Sequence, residues 1–282
     1  MTIPPGLSGM LNEGEPVVPR PAASVLLLDT QESPWRLLMM RRPRAAEFAP
    51  SAYVFPGGSV HEEDRGWEDP ARAAAVRELF EELGILLARR RDGRFARDRD
   101  CERLRHLLQL GRGWAPALRQ AGLTPALDRL VFLARWITPE QIARRFDTRF
   151  FLARRPPGQA VHPQPGEVED WLWIAPGEAL AGRLALVHAT RRILESVASE
   201  ADGRRLLARL RRRRHESPPV QPRIVRLPDG GFQVVEGDEG EIGEAAGVPS
   251  GEGEAGEAGG GAGEARSGSG LSARGPARSR TA

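Results

Sequence analysis

Short apolar runs and longer amphipathic stretches alternate along the middle of the chain. Residues 22–28 and 35–40 are two apolar runs separated by a polar turn, which predicts a hairpin of partly buried strands. A second hairpin is predicted at 224–235, where the sequence PDGG gives a strong turn signal. Further strands are predicted at residues 53–55, 129–137, 147–153 and 169–174.

Residues 70–83 carry the clearest helical signal. Asp69 is a favourable N-cap, Pro70 suits the first helical position, and Gly84 suits the C-terminal stop. Apolar side chains recur at helical spacing, which predicts one buried face. That face consists of Ala73, Val76, Phe80 and Leu83.

Three other stretches have helical patterns. Residues 101–122 are an interrupted helical segment, a helix opens at 176–180, and 186–213 is helical with a break near Asp202 and Gly203. Strands interleaved with helices predict an α/β fold in which helices flank a mixed sheet. Residues 101–122 are then a helical insertion in that fold.

Composition divides the chain into three parts. Residues 1–18 contain Pro and Gly without hydrophobic periodicity and are predicted to be flexible, whereas 19–235 carry the periodic pattern and form the predicted domain. Residues 236–282 are rich in Gly, Ala, Glu and Ser, with nine acidic residues and four arginines. Because this last segment has almost no large apolar side chains to bury, we predict a disordered acidic tail.

Cysteine content and hydropathy limit the class of protein. The single cysteine, Cys101, excludes an intrachain disulfide framework and is typical of a reducing compartment. No apolar run is long enough to span a bilayer, and the first sixteen residues lack the pattern of a secretory signal. We therefore expect a cytoplasmic protein without membrane association.

Three glutamates crowd one side of the predicted helix at 70–83. Glu78, Glu81 and Glu82 are related as i, i+3 and i+4, so their carboxylates project within about one turn and repel one another. A hard divalent cation reverses that repulsion, because Mg²⁺ is bound by carboxylates together with substrate phosphates. Upstream, Gly57 and Gly58 offer backbone amides that a phosphate can approach. The combination predicts metal-assisted chemistry on a diphosphate.

Residues 55–86 together resemble the Nudix hydrolase signature, G-x5-E-x7-R-E-U-x-E-E-x-G-U with U an aliphatic residue. The second half matches fully at residues 77–85, RELFEELGI. The first half departs, because eighteen residues separate Gly58 from Arg77 where the signature has thirteen. With the insertion near DRGWE, Glu62 or Glu63 takes the part of the isolated glutamate. Counting back from Arg77 leads instead to Asp69, the predicted N-cap.

The stretch before the box and the segments after it are similar to the coenzyme A diphosphatase-like subgroup, whose box is lengthened. The quoted segments are LLMMRRPRAAEFAPSAYVFPGG, ARWITPEQIARRFDTRFFLA and EVEDWLWIAPGEAL. The resemblance implies an α/β/α sandwich with a mixed sheet that hydrolyses a nucleoside diphosphate linked to another group. Coenzyme A or acyl-CoA is the first expected substrate, and ADP-ribose, another nucleotide sugar or a dinucleotide is the alternative.

The resemblance also implies roles for individual residues. Glu78, Glu81 and Glu82 are expected to hold Mg²⁺ or Mn²⁺, with Glu78 and Glu81 also catalytic. Arg77 is expected to orient one of these glutamates through a bidentate pair.

The general base and the substrate contacts are expected from the surrounding loops. Glu78 and the loop residues Glu167 and Glu169 are the alternatives for the base. Arg41 and Arg44, together with Gly57 and Gly58, are expected to contact substrate, since guanidinium groups suit phosphate.

Two functions of another class, nucleic-acid binding and non-catalytic ligand binding, are alternatives to an enzyme. An arginine run at 211–214, ending a predicted helix, is compatible with nucleic-acid binding. No aromatic platform or known nucleic-acid motif accompanies it, so nucleic acid is not an expected partner. A non-catalytic ligand-binding regulator on the same fold is the other alternative, and the intact glutamates argue against it. The expected partner is a small-molecule diphosphate, and a homodimer stays open.

Overall fold

The central sheet is built around strand β1 (Arg20–Asp29) in a computed structural model that describes residues 11–12, 14–31, 33–228 and 231–237. These residues belong to one compact unit, Met1–Asp238. The other strands are β2 (Arg36–Arg41), β3 (Tyr53–Val54), β4 (Gly57–Ser59), β5 (Ala88–Arg90), β6 (Leu123–Pro125), β7 (Val131–Ile137), β8 (Phe146–Arg154), β9 (Asp170–Ile174), β10 (Arg223–Arg226) and β11 (Phe232–Val235). The helices are α1 (Pro70–Leu83), α2 (Asp98–Gln109), α3 (Trp114–Ala121), α4 (Pro176–Leu180), α5 (His188–Ala198) and α6 (Gly203–Arg211).

Seven strands of the described residues form one mixed sheet. Its main path runs β3-β2-β1-β8-β7, with β9 added to β2 and β4 added to β1. The pairing of β1 with β8 is parallel, whereas β1 pairs antiparallel with β2 and β4. The predicted mixed sheet and the hairpin of β1 and β2 are therefore confirmed.

The two faces of this sheet carry separate hydrophobic cores. Along β1, Val25 and Leu27 pack on one side with α1, and Leu26 and Leu28 pack on the other side with α5 and α6. This alternation is the two-residue period of a strand whose faces are both covered by helices. It gives the α/β/α sandwich that the sequence predicted.

Helix α1 begins and ends where its local signals placed it. The Asp69 carboxylate accepts the Arg72 N–H at 3.1 Å, so it caps the first turn. Gly84 adopts φ 71°, a left-handed conformation that favours glycine, and its N–H donates to the Phe80 carbonyl. The buried apolar side chains of α1 pack against the sheet, and the helix lies against both β1 and β4.

The interrupted helical stretch is an insertion between β5 and β6. These two short strands pair with each other, which the apolar pattern did not predict, and α2 and α3 lie between them in the chain. Trp114, at the start of α3, packs on Phe80 of α1 with ring centroids 5.7 Å apart. The insertion therefore packs against α1 at Phe80, the residue that precedes Glu81.

The two chain ends were predicted to be flexible or disordered. Residues 1–10 and 238–282 lie outside the described residues, so the predicted acidic tail is outside them except at 236–237. Nearer the domain, Asn12 N–H donates to the Gln141 carbonyl at 2.8 Å and Arg145 donates to the Val17 carbonyl at 2.7 Å. The described part of the first eighteen residues is thus bonded to the segment before β8. Within the described ranges, no helix has the length and apolar character that a bilayer crossing requires.

Candidate active site

The three glutamates of α1 face the glycine pair of β4. A Cβ added to Gly58 would lie 2.5 Å from the Glu78 carboxylate, so this carboxylate rests directly on the glycine. The Gly57 N–H, predicted to approach a phosphate, instead donates to Glu82 Oε2 at 2.8 Å. The two glycines therefore position two of the three carboxylates: Gly58 leaves room for that of Glu78, and the Gly57 N–H holds that of Glu82.

Arg77 is the structural centre of the site. Its side chain is 1% exposed and all five of its N–H donors are used. Two of them form a bidentate pair with Asp64 at 3.1 and 2.8 Å, and the other three bond Glu78 at 2.9 Å, Glu81 at 2.8 Å and the Ser59 carbonyl. The bidentate partner is thus Asp64, while Glu78 and Glu81 each receive a single bond.

Asp64 was not among the residues predicted from the sequence. Its side chain is fully buried, and its Oδ2 also accepts the His61 N–H at 2.8 Å, which closes a short 3-10 turn. Counting forward from Gly58 over five residues leads to Asp64, the spacing that the Nudix signature gives its isolated carboxylate. The five extra residues therefore lie between Asp64 and Arg77.

The sequence offered Glu62, Glu63 or Asp69 as the isolated carboxylate of the signature, and these three residues lie elsewhere. Glu62 is 91% exposed at its side chain and pairs with a neighbouring arginine. Glu63 Oε1 lies 3.9 Å from Arg77 Nε, and its other oxygen accepts the Trp114 N–H. Asp69 caps α1, as predicted. Of these, Glu63 alone contacts the Arg77 network, and it does so at its edge.

Burial and nearby negative charges raise the pKa of all three glutamates. Burial is the largest cause for each, and the negative charge of Glu78 raises the pKa of Glu81 and Glu82 further. Arg77 opposes this effect at Glu78 and Glu81 but not at Glu82, whose pKa is raised well above the ordinary range. Ionisation of the cluster is therefore unfavourable unless a further positive charge is present.

The donor set of the cluster suits a hard divalent cation. One oxygen each of Glu78, Glu81 and Glu82 accepts a hydrogen bond, and the other oxygen of each accepts none from the residues that the structure describes. In their present rotamers no three acidic, His or Cys side chains of the described chain converge as a metal cluster. Oxygen-only donors on one helix face, of which Glu82 is buried and Glu78 and Glu81 are partly exposed, fit Mg²⁺ or Mn²⁺.

Glu167 approaches the same site from the loop between β8 and β9. This loop is bonded to the end of α1, because the Gln164 N–H donates to the Glu82 carbonyl at 2.8 Å and the Glu167 N–H bonds the Gln164 carbonyl. The charge of Glu167 contributes to the raised pKa of both Glu78 and Glu82. The structure therefore brings Glu167 into the electrostatic range of the cluster.

The predicted substrate arginines lie beside this loop. Arg41 Nε is 3.3 Å from Glu169 Oε2, and Arg44 Nε is 4.0 Å from Glu169 Oε1. Between them in sequence, Arg42 donates to the Phe48 carbonyl, and its charge lowers the pKa of Glu82 against the stronger effect of burial. Arg42 belongs to the same run, RRPR, as the other two arginines, and it too was a candidate for contact with substrate phosphates.

Comparisons with known proteins relate this arrangement to a family. The model of the NUDIX domain matches residues 18–150. Nudix hydrolase 7 of Caenorhabditis elegans is 34% identical over 171 residues, covering 59% of this chain and 56% of the relative. The acyl-coenzyme A diphosphatase NUDT19 of Homo sapiens is 29% identical over 213 residues, covering 51% and 54%. The chain thus spans about half the length of the curated relatives it matches.

A solved structure supports the same relation. The NUDIX hydrolase from Alicyclobacillus acidocaldarius aligns with a TM-score of 0.59 at 25% identity, covering 68% of this chain and 96% of that one. Sequence and fold comparisons therefore point to one family.

Proposed function

We propose that this chain, whose residues 18–150 match the NUDIX domain, is a Nudix hydrolase and a metal-dependent diphosphatase acting on a nucleoside diphosphate linked to another group. The observation that carries the proposal is the carboxylate cluster of α1, in which Arg77 is bonded to Glu78 and Glu81 while Gly57 holds Glu82. Such a cluster has no evident structural purpose, since burying like charges together destabilises a fold.

The residues of the chain divide the work of the reaction. Glu78, Glu81 and Glu82 would hold Mg²⁺ or Mn²⁺, which would supply positive charge for the diphosphate and make a bound water more acidic. Arg77 fixes the directions of Glu78 and Glu81, and Asp64 fixes Arg77. In hydrolysis a water oxygen bonds to phosphorus and the bond from that phosphorus to the bridging oxygen breaks.

Glu167 is the group we assign as general base. It lies on a loop bonded to the end of α1, and its negative charge acts on both Glu78 and Glu82. A carboxylate in that position is able to take the proton that the attacking water loses. Glu78, the alternative base, already accepts the Arg77 N–H with one oxygen and is an expected metal ligand, so it is less available to accept a proton from water.

Coenzyme A or an acyl-CoA is the substrate we put first. The support is the similarity to a relative named acyl-coenzyme A diphosphatase, together with the arginines at 41, 42 and 44 beside the site. ADP-ribose, another nucleotide sugar or a dinucleotide is the alternative, because these share the nucleoside diphosphate. The nucleic-acid alternative has less support, since Arg204 and Arg209 of α6 are bonded to Thr30 and Glu200.

A substrate panel tests the proposal. Coenzyme A, acyl-CoA, ADP-ribose, NADH and nucleoside triphosphates are each incubated with purified protein and Mg²⁺ or Mn²⁺. We expect cleavage of at least one diphosphate, loss of cleavage in Glu82→Gln, and full activity in Glu102→Gln, a matched change at an exposed position of α2. A wild type that cleaves none of these compounds, or a Glu82→Gln variant as active as wild type, overturns the proposal.

A further inference from the structure

Arg41 and Arg44 share one carboxylate at the edge of the sheet. The two Nε atoms lie 3.3 and 4.0 Å from the two oxygens of Glu169, so both guanidinium groups are directed to the same anion. Arg41 Nε is buried yet has no hydrogen bond of acceptable geometry among the described residues. Glu169 therefore neutralises Arg41 by charge while leaving its donor incompletely satisfied.

The fold fixes the backbone of this cluster but not the carboxylate. Strand β9 pairs with β2 so that Asp170 lies opposite Arg41, and the Glu169 N–H donates to the Arg41 carbonyl at 2.9 Å. The neighbouring carboxylate of Asp170 is already occupied, because it accepts the Tyr53 hydroxyl at 2.7 Å. Release of Arg41 and Arg44 thus requires only a rotation of the Glu169 side chain.

The ion pairs of Glu169 are of the kind that a stronger anion displaces. The side chain of Glu169 is 31% exposed, that of Arg41 33% and that of Arg44 85%. Exposed pairs of this type contribute little free energy, because water screens them. A phosphate offers more charge and more acceptor oxygens than a carboxylate, and it matches the fork of arginine donors.

This cluster borders the proposed reaction site. Glu169 follows the assigned base Glu167 by two residues, and Arg41 ends β2, which pairs with β1, the strand that also pairs with the glycine pair of β4. When the diphosphate of a substrate is bound at the reaction site, a separate anionic group of the same substrate molecule would therefore be able to contact these arginines.

We propose that Arg41 and Arg44 form a subsite for a phosphate monoester carried by the substrate, and that Glu169 is the specificity-determining residue that occupies it until such a group displaces it. The inference rests on the proposed function and names its substrate class: a diphosphate that also carries a separate phosphate monoester. Because the resident carboxylate competes with the incoming phosphate, removal of its charge increases the affinity for that class.

Coenzyme A and dephospho-coenzyme A test this directly, because they differ only in one phosphate monoester. Steady-state kinetics of both compounds give KM and kcat for wild type, Glu169→Gln, Arg41→Gln and Glu178→Gln. For wild type we expect a lower KM for coenzyme A than for dephospho-coenzyme A. Glu169→Gln lowers that KM by a further factor of about three to five, the scale of an exposed ion pair.

The two remaining variants sharpen the result. Arg41→Gln raises the KM of coenzyme A more than that of dephospho-coenzyme A, so the ratio of the two approaches one. Glu178→Gln, at an exposed position of α4, leaves the ratio at its wild-type value. A ratio equal in wild type, Glu169→Gln and Arg41→Gln overturns the subsite while the diphosphatase activity stands.

A wild type that cleaves neither compound contradicts coenzyme A as the substrate put first, without contradicting diphosphatase activity on the other substrates. The subsite is then decided by calorimetric titration of adenosine 3′,5′-bisphosphate and adenosine 5′-phosphate into the protein in EDTA. Tighter binding of the bisphosphate, strengthened by Glu169→Gln, supports the subsite. Equal affinity of the two nucleotides in both proteins refutes it.

Discussion

Gly57 and Gly58 are adjacent, yet an added methyl group is expected to damage different properties of the protein. A Cβ at Gly57 would lie 2.3 Å from the Ala23 carbonyl oxygen and 2.6 Å from Ser24 Cα, both backbone atoms of β1. The three atoms nearest to a Cβ at Gly58 all belong to the end of the Glu78 side chain, the closest at 2.5 Å. The first contact opposes folding, whereas the second displaces a proposed metal ligand.

The magnitudes follow from these contacts. Gly57 has φ +155°, so Gly57→Ala combines backbone strain of about 1–3 kcal/mol with overpacking of similar size, and we expect a loss of about 2–5 kcal/mol in the free energy of unfolding. Gly58 has no such φ, and the Glu78 carboxylate can move by about 1 Å. A displacement of that size at a catalytic group costs about 100-fold in rate. Gly58→Ala is therefore expected to be stable and slow.

Urea unfolding and a diphosphate hydrolysis assay with Mg²⁺ separate the two effects. Gly177→Ala is the matched control, because a Cβ there meets nothing within 4 Å. If Gly58→Ala hydrolyses substrate at the wild-type rate, the position of Glu78 over the glycine does not matter for the reaction. If Gly57→Ala is as stable as wild type, the pairing of β4 with β1 is wrong.

Three further predictions concern buried groups. Asp64→Asn leaves the buried Arg77 charge without its bidentate partner, so urea unfolding should show a loss of about 3–5 kcal/mol; an unchanged value contradicts the central role of that pair. Burial alone would raise the pKa of Asp29, but bonds from the Gln31 amide and Arg155 lower it below its ordinary value. The ionised Asp29 carboxylate therefore stabilises the fold at pH values above the pKa of the unfolded state. This stabilisation is lost as the pH falls through the pKa of the folded state. Unfolding at about pH 6 and about pH 3 should therefore show a larger loss for wild type than for Asp29→Asn, and equal losses refute the assignment. Burial raises the pKa of the Cys101 thiol to about 12, so a thiol reagent at neutral pH should label native protein far more slowly than protein in urea; equal rates contradict that burial.

Local signals determined α1 and the long strands. Asp69, Pro70 and Gly84 each act within one turn of the helix end, so the limits 70–83 follow from the sequence alone. Strands β1 and β2 are apolar on both faces, and their continuous runs were sufficient to locate them. Strand β4 was not predicted, because Gly57 and Gly58 have no strand preference and the strand exists through its pairing with β1.

The candidate site shows where sequence reasoning stopped. The helix glutamates were found because their spacing is local, whereas Asp64 depends on where an insertion lies between Gly58 and Arg77. An insertion position is not encoded in the signature; it was settled by the bidentate pair of Asp64 with Arg77. The pairing of Glu169 with Arg41 is also non-local and follows from the register of β9 on β2.

Hydrolysis in ¹⁸O-labelled water tests the central claim most directly. Coenzyme A is incubated with Mg²⁺ and wild type or Glu82→Gln, and the two phosphate products are separated and weighed by mass spectrometry. With wild type we expect one ¹⁸O atom in one of the two phosphate products. With Glu82→Gln we expect no labelled product. Absence of labelled product with wild type, or equal labelling with Glu82→Gln, would contradict diphosphate hydrolysis at the α1 cluster.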